Sequence, residues 1–181
     1  PMSSRQALAG TRRDSLRSRH PSKEILNAGI NDSKQLRPRQ REKLAKFIKE
    51  NALSWGIGEV SAAEINRVGM AKASKMIFRR AVSQLKTKPD FLLIDAFYIP
   101  FVRGLRRKHQ KAVIRGDQKS ISIAAASIVA KVYRDKLMRE LGIKYPKYRW
   151  GKNKGYGTKL HQKAIVRYGL TRLHRRNFVT V

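Results

Sequence analysis

Two aspartates stand where chemistry is usually done. Asp95 ends the apolar run Phe91-Leu92-Leu93-Ile94, and Asp117 follows the run Ala112-Val113-Ile114 just after Gly116. Both runs have the length of a buried strand. In open α/β sheets, ligands sit beyond the carboxyl ends of the strands, so each carboxylate is placed to act. A basic, hydroxyl-bearing turn follows Asp117, Gln118-Lys119-Ser120, and a small-residue helix pattern then sustains itself for about five turns. Two strand-end carboxylates in a chain of formal charge +30 point to metal-assisted chemistry on a phosphate backbone.

These residues need a frame, and 181 residues are enough for one domain with a real core. Pro38 suits the first turn of a helix whose apolar face is Leu44, Phe47 and Ile48. Leu53 to Gly58 alternates as a half-buried strand. Ser61-Ala62-Ala63-Glu64 is a capping-box pattern that starts a helix, with a break near Gly69. A second helix covers roughly Met70 to Leu85, with Met70, Ala73, Ile77, Ala81 and Leu85 inward. After the strand ending at Asp95, Phe97 to Phe101 reads as an apolar loop and residues 103–111 as a basic one. The helix after Ser120 buries Ile121, Ala124, Ala125, Ile128 and Val132, and ends at Gly142 and Pro146. Asp135 within it reads as an ion-pair partner. Residues 152–158 form a glycine-rich basic loop around Tyr156. A helix from Lys159 to Tyr168 is closed by Gly169. Strands alternating with helices make the class α/β.

Lysine and arginine number 42 against 12 acidic residues. Such self-repulsion calls for a polyanionic partner, and nucleic acid is the default. A membrane surface is a weaker option, because no helix splits cleanly into basic and apolar faces. No membrane span or leader is expected: the longest apolar stretch, Ile123 to Ala130, is interrupted by Ser127. The chain has no cysteine, which excludes disulfides and cysteine-bound zinc and fits a reducing cytoplasm. The four histidines have no metal-ligand spacing, and His174 reads as structural. Residues 1–29 show no apolar period and read as a disordered basic arm.

The motifs converge. Asn31-Asp32-Ser33-Lys34-Gln35-Leu36, Trp55-Gly56-Ile57-Gly58, Leu93-Ile94-Asp95, Gly116-Asp117-Gln118-Lys119-Ser120, the run Ala125 to Asp135, Lys154-Gly155-Tyr156-Gly157-Thr158 and His174-Arg175-Arg176 occur in one order. In that order and spacing the chain resembles ribonuclease HII, the prokaryotic type-2 ribonuclease H. The resemblance implies a ribonuclease H-like mixed central sheet flanked by helices. It implies hydrolysis of RNA in RNA–DNA hybrids, incision at single ribonucleotides in DNA as in ribonucleotide excision repair, and a monomer. It implies two-metal-ion catalysis, with four carboxylates holding Mg²⁺ or Mn²⁺, of which Asp95 and Asp117 match two as catalytic metal ligands. Tyr156 matches the tyrosine at the ribonucleotide junction. Ser33 and Lys34 match a phosphate-facing segment, and Lys119 and Arg5 are the further substrate contacts.

The family pattern opens with a central strand ending in Asp-Glu, then Gly-Arg-Gly. With Leu8-Ala9-Gly10 setting the register, Pro1 and Met2 take the Asp-Glu positions and Ser4-Arg5-Gln6 take Gly-Arg-Gly, leaving only Arg5. The first strands are therefore expected to be absent or degraded, with residues 1–28 an aberrant basic segment and residues 29–181 the catalytic domain. Loss of a central strand leaves neighbouring edges unpaired. A frameshift ending shortly before Gly29 would produce such arginine-rich text; an intact reading frame on resequencing the coding DNA would sink that idea. The expectation is a ribonuclease HII with impaired hydrolysis. The alternative is a non-catalytic basic module binding RNA or hybrids, and a ribosome-associated basic protein is a third class supported by charge alone.

Overall fold

The chain folds from short-range signals outward. A computed structural model describes residues 3–8, 30 and 36–179. Helix α1, Pro38–Asn51, opens with Pro38, where a missing amide costs nothing. The Arg37 amide donates to Oε1 of Gln40 at 3.0 Å, satisfying one group at the helix start. Ala45 and Ile48 are buried against Ala125, Ile128 and Val129.

Strand β2, Trp55–Val60, meets helix α2, Ala62–Ser83, backbone to backbone. A Cβ on Gly58 would run into the carbonyl of Ile77, and one on Gly56 into that of Ala81. Only glycine permits this approach. The cap of α2 is the capping box read from the sequence: Ser61 N donates to Glu64 Oε2 at 2.9 Å, and Glu64 N donates to Ser61 Oγ at 3.2 Å. The bend falls at Gly69, with φ +77°. Beyond it Ala73, Ile77 and Ala81 are buried, while Leu85 lies past the helix end.

Strands β3, Leu92–Asp95, and β4, Gln110–Val113, pair in parallel with Asp95 opposite Val113. The loop between them buries Ile99, Val102 and Leu105 against Phe78. The Gln110 carboxamide accepts from Ile99 N and donates to Ile99 O, both at 2.9 Å, so the buried turn keeps its backbone partners. A one-turn helix α3, Gly116–Lys119, leads into α4, Ile121–Lys144. Helix α4 is the spine, burying Ala124, Ala125, Ile128 and Val129 along its length. Its far end meets α5, Trp150–Asn153, and α6, Lys159–Tyr168, around Met138, Tyr148, Trp150 and Ile165. Gly142 lies inside α4 and does not end it; a side chain there would strike the backbone of Gly151. Ile114, expected inward, is 71% exposed because β4 ends at Val113, and Ile121, also expected inward, is 39% exposed at the first position of α4.

One expectation fails at the start of the chain. Strand β1, Ser3–Leu8, stands where no folded segment was read, and it pairs antiparallel with β2 from Ser3↔Val60 to Leu8↔Trp55. Its sequence, SSRQAL, has no apolar alternation to signal a strand; the main-chain pairing with β2 defines it. The remainder of residues 1–28 lies outside the described residues. The mixed character holds, with one antiparallel and one parallel pair. These form two separate two-stranded sheets. Among the described residues, no strand covers the second edge of β1 or of β3.

Candidate active site

Parallel pairing brings the carboxyl ends of β3 and β4 to one side. Asp95 is the last residue of β3. Past β4, Arg115 turns the chain in the left-handed region, φ +55°, and Gly116 starts α3. The Gly116 amide donates to Oδ1 of Asp95 at 3.0 Å. Asp117 is the next residue, so one peptide links the two carboxylates. Both are half-buried. Ala96, directly after Asp95, also has positive φ, +67°. Two non-glycine residues in that region each cost of order 1–3 kcal/mol, and such strain gathers at functional sites.

The donors at this turn suit one hard divalent cation that keeps most of its water shell. Among the described residues, no group of three or more His, Asp or Glu side chains converges on a common point. The other inward carboxylates are engaged elsewhere. Asp135 takes Lys131 at 2.6 Å and Arg41 at 3.6 Å, the ion pairing read from sequence. Glu59 accepts from the Tyr133 hydroxyl, and that bond pushes the Tyr133 pKa up to about 12.

Tyr156 belongs to a second centre. Asn153, nearly buried, donates to Tyr148 O at 2.8 Å and accepts from Gly155 N at 2.8 Å. Lys154 and Gly155 both carry positive φ, +51° and +77°. The Tyr156 carbonyl takes Thr158 N at 2.8 Å and His161 Nδ1 at 2.9 Å. The backbone is thus pinned while the ring is 59% exposed. Cations surround it. Lys131 Nζ lies 5.9 Å from the ring centroid, and Arg134 donates to Lys154 O at 3.1 Å. A cavity of about 240 Å³ beside the ring is lined by His161, His174, Arg175 and Phe178. Burial lowers the pKa of Arg134 and of Arg175, and Tyr156 acts on both in the opposite direction. An exposed aromatic flanked by guanidinium groups can stack on a sugar or base while the cations meet phosphates.

The structure joins Asp95 to Asp117 and places Tyr156 apart from them. Helix α4 spans the two centres: Lys131 stands about 15 Å along its axis from Ile121, at 1.5 Å per residue. Lys119 ends α3, exposed, two residues past Asp117. Arg5 lies in β1 opposite Gly58 rather than in a turn. Ser33 and Lys34 lie outside the described residues. Sequence reading missed Lys131, Arg134, Arg175 and His161. The spacing of Lys131 and Asp135 was a usable signal; nothing local marked the histidine.

Comparison with known proteins agrees with these motifs. A family model described as ribonuclease HII matches residues 17–181. The ribonuclease HII of Caldanaerobacter subterraneus subsp. tengcongensis is 47% identical over 157 residues, covering 87% of this chain and 64% of that protein. The chain therefore spans less than two thirds of that relative's length. The ribonuclease H2 of Pyrococcus horikoshii OT3 superposes with a TM-score of 0.69 at 22% identity, covering 98% of this chain and 94% of that one. Bst-RNase HIII in complex with Mn²⁺ superposes with a TM-score of 0.63 at 19% identity, covering 86% and 57%. At such identities the two structures show the shared fold alone, while the family match runs through both carboxylates and the Tyr156 loop: this chain belongs to the ribonuclease HII family.

Proposed function

We propose that the chain binds RNA–DNA hybrids and DNA carrying single ribonucleotides, and that its hydrolysis of them is impaired. The observation that carries this reading is the Asp95–Gly116–Asp117 turn, which supplies two of the four carboxylates of the family pattern. A divalent ion, Mg²⁺ or Mn²⁺, would be held by Asp95 and Asp117; when bound, such an ion polarises phosphate oxygens and activates water. The Gly116 amide, by occupying Asp95 Oδ1, orients that carboxylate. The cations around Tyr156 hold the backbone, and its ring stacks at the junction where the 2′-hydroxyl distinguishes RNA from DNA. The chain acts as a monomer in the cytoplasm. The lack of cysteine supports a reducing compartment, and none of the described helices is long and apolar enough to cross a membrane.

The formal charge of +30 favours a second reading, a basic module that binds hybrids without cutting. One experiment separates them: cleavage of a DNA duplex carrying one ribonucleotide, with Mg²⁺ or Mn²⁺, beside the Asp95→Asn variant. Slow metal-dependent cutting that the variant lacks supports the impaired enzyme. No cutting, with binding intact and steeply salt-dependent, supports the second reading. Rapid cutting at many turnovers would contradict both.

A further inference from the structure

Two histidines from different elements meet in the core beside the Tyr156 loop. His161 and His174 are 3% and 2% exposed, and their Nε2 atoms stand 3.3 Å apart. Their protonation pattern follows from donors that can only donate. The Thr171 amide reaches His174 Nδ1 at 2.9 Å, so that nitrogen accepts and the proton of neutral His174 sits on Nε2. The Trp150 indole reaches His161 Nε2 at 3.1 Å, so that nitrogen also accepts. The proton of neutral His161 must then sit on Nδ1. That is the atom facing the Tyr156 carbonyl at 2.9 Å. A chain of directed hydrogen bonds therefore runs from Thr171 through His174 and His161 to the backbone of Tyr156.

We propose that His161, locked in its Nδ1–H tautomer by Trp150 and His174, is a positioning residue that holds Tyr156 in the pose that discriminates ribonucleotide from deoxyribonucleotide. The proposal rests on the reading of Tyr156 as the junction residue. Among the described residues, no other side chain donates to the Tyr156 carbonyl; Thr158 reaches it through its amide. With 59% of the residue exposed, the ring depends on its backbone for placement.

Two substitutions separate positioning from mere packing. In His161→Gln the carboxamide oxygen reaches the Nε2 position and still accepts from Trp150 and His174, but nothing donates to Tyr156. In His161→Asn the amide nitrogen stands near the Nδ1 position and still donates to Tyr156, while two buried donors lose their acceptor. Stability and discrimination should therefore move in opposite directions. The readout is the ratio of dissociation constants, by fluorescence anisotropy without divalent ions, for a duplex with one ribonucleotide and the same duplex in DNA. His161→Gln should unfold close to the parent protein yet lose at least fivefold of the preference. His161→Asn should be less stable yet keep the preference within twofold. Preference tracking stability across the two variants would overturn the proposal. Tyr156→Ala, measured alongside, must abolish the preference; if it does not, the junction reading fails independently of His161. Should either variant not fold, ¹⁵N spectra of the unmodified protein still decide: a His161 ring protonated on Nε2 overturns the tautomer lock.

Discussion

The amide of Gly116 and the Oδ1 of Asp95, 3.0 Å apart, tie the start of α3 to the end of β3. A Cβ on Gly116 would lie 2.5 Å from Cδ1 of Ile123 and 3.5 Å from that same carboxylate oxygen. In Gly116→Ala the Ile123 side chain must move aside or α3 must shift, and either disturbs the packing of the turn that carries the carboxylates. We expect a loss of about 1–3 kcal/mol of stability, the usual cost of overpacking. Urea denaturation measures that loss, and a Mn²⁺ titration of the same variant should show weaker binding. An unchanged midpoint would mean that the turn yields freely.

Glu64 caps α2 and takes Arg80 Nη2 at 2.6 Å. The Arg80 hydrogen bond, then the Ser61 bonds, hold its carboxyl at about 2, against 4.5 unfolded. Because the folded value is depressed, the stabilisation is whole above pH 4.5 and drains away as pH falls from there toward 2. Glu64→Gln should flatten that part of the urea midpoint profile. Ser61→Ala should cost about 1 kcal/mol at neutral pH through loss of the cap.

His174 loses stability in the same direction, at higher pH. Burial first, then the neighbouring His161, holds its pKa at about 4 against 6.5 unfolded. The unfolded chain therefore takes up a proton that the folded chain refuses between those values. Stability should fall as pH drops from 6.5 toward 4 and level off below, by at most about 3 kcal/mol at 1.36 kcal/mol per pKa unit. His174→Gln should remove this slope. A midpoint flat between pH 7 and 4.5 in the parent protein would contradict a buried neutral His174.

Much of the fold was legible because its signals are local. The Ser61–Glu64 box needs four consecutive residues, and α6 is bracketed by Thr158 and Gly169, its cap residues. Asp95 and Asp117 were legible together because strand ends in parallel sheets converge. Strand β1 was not legible, since its sequence has no apolar alternation and it forms by pairing with the distant strand Trp55–Val60. The His161–His174 contact was hidden for the same reason: each histidine alone is a core residue, and only the packing of α6 against the tail joins them. The end of α4 was misread at Gly142, where the glycine serves close approach to Gly151 and not a cap.

The proposed metal site at Asp95 and Asp117 is tested most directly by counting ions. Free Mn²⁺ measured by electron paramagnetic resonance, titrated against the protein, should show one bound ion per chain, absent in Asp95→Asn. Two bound ions per chain, or one ion that Asp95→Asn retains, would contradict the assignment of Asp95 and Asp117 as a two-carboxylate, single-ion site.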